Sequence, residues 1–220
     1  MREVVLDTET TGLDPNSGHR VIEVGCVELH NHVQTGRTFQ RYLNPERDVP
    51  AEVVAIHGLD NAFLVGQPRF AAIAEELLAF IGDAPLVAHN AGFDMGFLNA
   101  ELARLDHPPL RSNRIVDTAA LARAKYPGAP ASLDALCRRF AVDASARTKH
   151  GALLDAQLLA EVYLELMGGR QPLLGLVVAP AEVALGPTRM RPPRAHGPSA
   201  AEIAAHAAFI ATLSSPIWLQ

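Results

Sequence analysis

The chain has 220 residues, 49% of them hydrophobic and 20% charged, with a mean hydropathy of +0.10 and a net charge of −5. That apolar fraction argues against a disordered protein, and no run reaches the ~18 apolar residues of a membrane span. Asp7, Glu9 and Asp14 stand where a signal peptide needs an apolar segment, and Cys26 and Cys137 are too isolated for a disulfide scaffold or zinc ribbon, so the expectation is a soluble, cytoplasmic protein.

The charge is unevenly spread. From Arg170 onward four arginines outnumber two glutamates, a net +2, which leaves −7 on the first 169 residues. A domain of that sign does not hold nucleic acid through bulk charge. It can instead gather carboxylates at a metal site that recruits an anionic substrate through cations.

Along the chain, Val4-Val5-Leu6 opens a strand, Val21 to Leu29 is a second, and Thr38 to Leu43 a third. Phe70, Ile73, Ala74, Leu77 and Ile81 have helical spacing, closed by Gly82. Leu86 to Ala88 reads as a short buried strand, Phe93 to Leu105 as an amphipathic helix, and Ile115-Val116 as a last strand ending at Asp117. An Ala-rich helix follows, for which Asp117 serves as N-cap. Ser132 caps the next, and Ala152 to Met167 forms a long helix stopped by Gly168-Gly169. Three successive strands followed by alternating helix and strand predict an α/β domain over residues 1–169, a mixed sheet with flanking helices.

Beyond it, seven of the chain's 16 prolines fall in the last 51 residues, a linker composition assigned to 170–198. Order returns in 199–220, where Ser199-x-x-Glu202 has the form of a capping box and Ile203, Ala207 and Ile210 make a helical stripe. A helix this short is marginal alone. Exposed Phe209, Ile210 and Trp218 would need a partner surface.

The informative residues are acids on apolar faces. Two-residue spacing on a strand points Asp7 and Glu9 to the same side. Asp94 shares a helical stripe with Phe97, Leu98, Leu102 and Leu105, and Asp155 one with Leu158, Leu159, Val162 and Leu166. A lone acid at such a position is more often an edge residue or ion-pair partner, and Asp94 alone could be a first-turn acid favoured by the helix dipole. Four together are harder to explain, because an unpaired buried carboxylate costs several kcal/mol. Nearby lysines and arginines are too few to neutralise each, whereas hard divalent cations prefer oxygen ligands. His150, five residues before Asp155 and next to Gly151, is placed on the loop entering the helix. There it can take a proton from water at a metal site.

Asp7-Thr8-Glu9-Thr10-Thr11-Gly12, His89-Asn90-Ala91-Gly92-Phe93-Asp94 and His150-x4-Asp155 resemble the three motifs of the DEDD exonuclease superfamily, in its His subtype. Ser132 to Cys137, His150 to Gln157 and Glu202 to His206 are similar to the proofreading subunits of bacterial replicative DNA polymerases. The likeness covers the domain and touches the tail, while the linker aligns with nothing. It implies a ribonuclease H-like fold and 3′→5′ removal of nucleotides from DNA. Asp7, Glu9, Asp94 and Asp155 would then hold two Mg²⁺ or Mn²⁺ ions, with His150 as general base. It also implies substrate contacts by Asp7, Glu9, Thr10, Gly12, Leu13, Glu52, His57, Phe93 and Asp155, with frayed, mismatched 3′ ends preferred. The alternatives are an RNA-trimming enzyme of the same superfamily and a non-catalytic adaptor; the apolar tail weighs against the first, the intact acids and His150 against the second.

Partners follow from the same resemblance. Ile203, Phe209, Ile210 and Trp218 would bind the polymerase's catalytic α subunit. Gln171-Pro172-Leu173-Leu174-Gly175-Leu176 resembles a sliding-clamp peptide, with Gln171 on polar rim groups and Leu174 and Leu176 in an apolar pocket. The competing reading packs these leucines against the domain.

Overall fold

The computed structural model describes residues 1–145, 147, 149–169 and 197–214. Gln171, Leu174, Leu176, Trp218 and nearly all of the linker lie outside them. The chain falls into two compact units, Met1–Leu174 and Gly175–Gln220.

In chain order the first unit contains β1 (Arg2–Thr10), β2 (Val21–His30), β3 (Val33–Tyr42), α1 (Ala51–His57), α2 (Asn61–Leu64) and α3 (Phe70–Ile81). There follow β4 (Leu86–Ala88), α4 (Gly92–Ala103), β5 (Ile115–Asp117), α5 (Thr118–Lys125), α6 (Leu133–Phe140) and α7 (Ala152–Leu166). The sheet order is β3-β2-β1-β4-β5. β1, β2 and β3 are antiparallel neighbours, while β4 runs parallel to β1 and β5 to β4. This is the mixed sheet with flanking helices that the order of elements predicts.

Strand alternation divides the core between two faces. Val4 and Leu6 of β1 face a cluster with Phe70, Leu77, Phe97 and Leu98 of α3 and α4. Val5 faces the opposite way, with Val27, Val87 and the Ala156, Leu159 and Tyr163 stripe of α7. Position 25 brings α7 close: a Cβ on Gly25 would lie 2.2 Å from the Leu153 nitrogen and 2.3 Å from the Ala152 carbonyl carbon.

Helix starts follow the side chains that cap them. Asp117 Oδ1 accepts from the Ala119 and Ala120 N–H groups at 2.9 and 3.2 Å, and Ser132 Oγ from Ala135 at 3.3 Å. Beyond shifts of a single residue, two boundaries differ clearly from the sequence expectation. β3 begins at Val33 rather than Thr38, because Asn31 and His32, with φ of 51° and 66°, turn the chain directly into a hairpin. After Val33 its first residues, Gln34 to Thr38, are polar or glycine, so no apolar alternation marks them. α4 ends two residues early, and Asp106 turns left-handed at φ 57°.

The described part of the second unit is α8 (Ala200–Ala211), opened by a reciprocal cap in which Ser199 Oγ accepts from Glu202 N–H at 3.3 Å and Glu202 Oε2 from Ser199 N–H at 2.7 Å. Ile203 and Phe209 are exposed, at 55% and 58%, whereas Ile210 is buried at 8%. The expected exposure of Ile210 is thereby corrected: adjacent helical residues point about 100° apart and do not share a face.

Candidate active site

The alternation that sends Val5 toward α7 sends Asp7 and Glu9 the same way, opposite Gly25 and Glu23 of β2. α7 brings Asp155, 3% exposed, in its first turn. The start of α7 is fixed by Glu23, whose Oε2 accepts the Ala152 N–H at 3.1 Å. His150 lies on the entering loop, before the Gly151 N-cap, with its side chain 47% exposed. Its backbone N–H donates to the Ile56 carbonyl at 3.3 Å, which ties the loop to α1.

Asp94 approaches from α4 and is 2% exposed. Thr8, on the opposite side of β1 from Asp7, donates its hydroxyl to Asp94 Oδ1 at 2.7 Å. The turn before α4 is held by Asn90, at φ 63°, whose N–H donates to Asp117 Oδ1 at 3.1 Å. That oxygen also caps α5, so one carboxylate joins two elements behind the site.

The four acids and His150 line one cavity of about 300 Å³, with Phe93 and His89 in its wall. Burial, then repulsion from Asp94, Glu9 and Asp155, holds the Asp7 carboxyl well above the usual carboxylate range. Burial and then the Asp155 charge push Glu9 up to about 8. Asp94 is pushed up to about 7, chiefly by burial, against the lowering effect of its Thr8 hydrogen bond. Packed this closely, the acids resist ionising together.

One cation does reach them, and the sequence reading missed it. Arg147 Nε and Nη2 donate to Asp155 Oδ1 and Oδ2, each at 2.6 Å, and Nη1 donates to Asp134. Nη2 also lies 2.8 Å from His150 Nδ1. Asp155 therefore has a counter-charge, which leaves Asp7, Glu9 and Asp94 without an arginine of their own among the described residues. The available signal was an arginine three residues before His150 in the same segment.

The remaining expected contacts are placed less uniformly. Phe93 packs in a tilted contact against Phe97, with ring centroids 4.9 Å apart, and lines the cavity. Thr10 is buried, its hydroxyl donating to the Gly12 carbonyl at 2.6 Å, and Leu13 is 85% exposed. Glu52 is exposed on α1. His57 is buried at 5%, with Nδ1 accepting from Leu59 N–H at 2.9 Å; burial and then Lys149 and His150 hold its pKa below the ordinary histidine value. Of Thr10, Gly12, Leu13, Glu52, His57 and Phe93, only Phe93 lines the cavity wall.

A five-stranded mixed sheet with acids entering from its central strand and from two flanking helices is the ribonuclease H-like exonuclease architecture. The model of the exonuclease family RNase_T matches residues 4–163. The chain is 53% identical over 180 residues to the DNA polymerase III subunit epsilon of Rickettsia conorii, covering 80% of this chain and 78% of that protein. To the same subunit of Escherichia coli K12 it is 47% identical over 176 residues, covering 77% and 72%. Among solved structures, the nuclease domain of 3′hExo, a DEDDh family member, bound to rAMP, superposes with a TM-score of 0.65 at 18% identity, over 76% of this chain and 91% of that one. The chain belongs to the exonuclease family and, within it, to the DNA polymerase III epsilon subunits, the 3′→5′ proofreading exonucleases.

That fold implies divalent cations, and the residues present fit them. Ligand atoms of Glu9, His150 and Asp155 lie within 4.8 Å of one another. Asp7 and Asp94 line the same cavity, and oxygen-rich donors suit a hard cation.

Proposed function

We propose that Asp7, Glu9, Asp94, Asp155 and His150 form the hydrolytic centre that removes the terminal nucleotide from a DNA 3′ end, with Mg²⁺ or Mn²⁺ held by the four acids. The observation that carries this reading is the convergence of all five side chains on one cavity. Bound divalent cations would supply Lewis acidity and offset the phosphate's charge. The carboxylates hold those cations; without them, burial and mutual repulsion favour the protonated form of Asp7, Glu9 and Asp94. His150 takes the proton of the attacking water at Nε2 when Asp155 Oδ2, 3.2 Å from Nδ1, accepts the Nδ1–H. Phe93 offers a ring on which the terminal base stacks, Thr10, Gly12 and Leu13 contact the terminal nucleotide, and Glu52 and His57 make further substrate contacts.

The same proposal places the chain in the cytoplasm with the replisome, as a subunit of DNA polymerase III. Among the described residues no helix is long and apolar enough to cross a membrane. Binding of the polymerase III α subunit by 199–220 is supported by the capped α8 with Ile203 and Phe209 exposed; the parts of Ile210 and Trp218 rest on sequence alone. Binding of the sliding clamp by Gln171, Leu174 and Leu176 also rests on sequence alone. Organisation into an exonuclease domain (1–169), linker (170–198) and polymerase-binding segment (199–220) accompanies these assignments.

The test compares hydrolysis of labelled DNA with a mismatched 3′ end, the same DNA fully paired, and a short RNA, in Mg²⁺ and in Mn²⁺. Fastest release of mononucleotides from the mismatched DNA end is expected; preference for RNA overturns the substrate assignment. Removing 199–220 is expected to abolish polymerase binding while leaving hydrolysis of short DNA intact.

A further inference from the structure

Arg147 plays no part in the motifs that define the centre, yet it makes more polar contacts there than any of the acids. Its guanidinium spans both oxygens of Asp155 at 2.6 Å, reaches Asp134 with Nη1, and lies 2.8 Å from His150 Nδ1. The pair is secluded: the Arg147 side chain is 11% exposed and that of Asp155 4%. Two parallel N–H···O bonds from a planar fork occupy a carboxylate far more completely than a lysine's point charge does. Arg147 itself stands on the connection between α6 and α7, its backbone N–H held by the Ala144 carbonyl at 2.9 Å, outside any helix or strand.

The His150 contact has a consequence for protons. A guanidinium nitrogen only donates, so His150 Nδ1 must accept from it, and a neutral imidazole then carries its own hydrogen on Nε2. In that tautomer Nε2 has no lone pair to take a proton from water. With the guanidinium withdrawn, Nδ1 can carry the hydrogen toward Asp155 Oδ2, 3.2 Å away, and Nε2 becomes the acceptor.

We propose that Arg147 is a tethered cation that competes with divalent cations for Asp155 and holds His150 in the tautomer that cannot accept a proton, so that cation loading and readiness of the base are one event. The inference rests on the reading of Asp155 as a cation ligand. Arg147 is a positioning residue in this scheme: it acts through Asp155 and His150. Because competition is reciprocal, what Arg147 gives the cation-free site it takes from cation affinity.

The experiment is Mn²⁺ titration of the full chain by calorimetry without DNA, for the unaltered protein, Arg147→Met and Arg147→Lys. Met keeps the length and packing without the charge; Lys keeps the charge without the fork. Arg147→Met is expected to lower the Mn²⁺ Kd by roughly fivefold or more, the lower end of ordinary site-to-site coupling, with Arg147→Lys between. Its thermal midpoint is expected to fall without cations and to recover toward that of the unaltered chain in saturating Mn²⁺. Nitrogen NMR of His150 is expected to show hydrogen on Nε2 in the cation-free unaltered chain and on Nδ1 after Mg²⁺ is added. A merely structural arginine would lower the midpoint equally with and without Mn²⁺ and leave the tautomer unchanged, and that result overturns the inference. Binding by the unaltered chain with equal or weaker binding by Arg147→Met overturns it as well, leaving the hydrolytic reading standing. No Mn²⁺ binding by the unaltered chain overturns both.

Discussion

β1 buries acids toward α7 at both of its ends, and the two ends treat them differently. Near the start, Glu3 is 1% exposed: Tyr163 donates its hydroxyl to Oε1 at 2.7 Å, and His32 Nδ1 lies 2.8 Å from Oε2 without a hydrogen bond between them. Burial and the neighbouring Glu3 in turn raise the Tyr163 pKa. At the other end of the strand, Asp7 and Glu9 face further acids across an open cavity. The same alternation put all three on this face. A buried acid lodged beside a tyrosine hydroxyl and an imidazole is part of the scaffold, whereas one surrounded by other acids needs a cation from outside.

The strongest way to break this contrast is at Asp7. Asp7→Ala is expected to lower exonuclease turnover by at least roughly 10²–10³-fold, the loss seen when one electrostatic stabiliser of a transition state is removed. The thermal midpoint in the absence of cations should hold or rise, since repulsion is relieved. Substantial turnover in excess Mg²⁺ would show that Asp7 holds no cation.

His150→Ala comes next, with kcat reduced by roughly 10²–10⁴-fold and KM for DNA nearly unchanged, because the ring supplies a proton acceptor and little binding. A raised KM at constant kcat would remove it from the chemistry. At the scaffold end, Glu3→Ala should do the reverse. It leaves the Tyr163 hydroxyl without its acceptor and should cost about 1–3 kcal/mol of stability, measured by urea unfolding. Turnover per folded molecule should stay the same.

The remaining expectation concerns stability as pH changes. Glu9 and Asp94 carry folded-state pKa values of about 8 and about 7, raised above the ~4 of an unfolded carboxyl. The folded chain therefore keeps protons that the unfolded chain has lost. Without divalent cations, this contribution is full below about pH 4 and disappears as pH rises through 7 to 8. Thermal midpoints in a chelating buffer should fall across that window, and Mg²⁺ or Mn²⁺ should flatten the slope. A slope unchanged by either cation would show that these carboxyls do not meet it.

The acids of the centre were legible because each lies in a regular element whose periodicity fixes its direction. Asp7 and Glu9 inherit theirs from Val5, and Asp94 and Asp155 from the leucines of α4 and α7. Arg147 belongs to no element, so no period pointed it at Asp155; its position comes from how the chain closes between α6 and α7. The start of β3 was hidden because the polar run of Gln34, Thr35 and Arg37 has no apolar face to reveal it. Glu52 and His57 entered through family likeness alone, and they stand on α1, beside the His150 loop but outside the cavity wall.

Gly25 extends the number of ways in which an inherited error-correcting capacity can be lost. It has no side chain with which to hold a cation, yet a single added carbon there would meet the backbone of α7 at 2.2 Å and dislodge the turn that presents Asp155. A cell carrying Gly25→Ala should therefore accumulate replication errors with every acid of the centre still encoded. The mutational target for a mutator phenotype in this gene is thus wider than its catalytic residues, and includes sites that only keep a helix at the right distance from a strand.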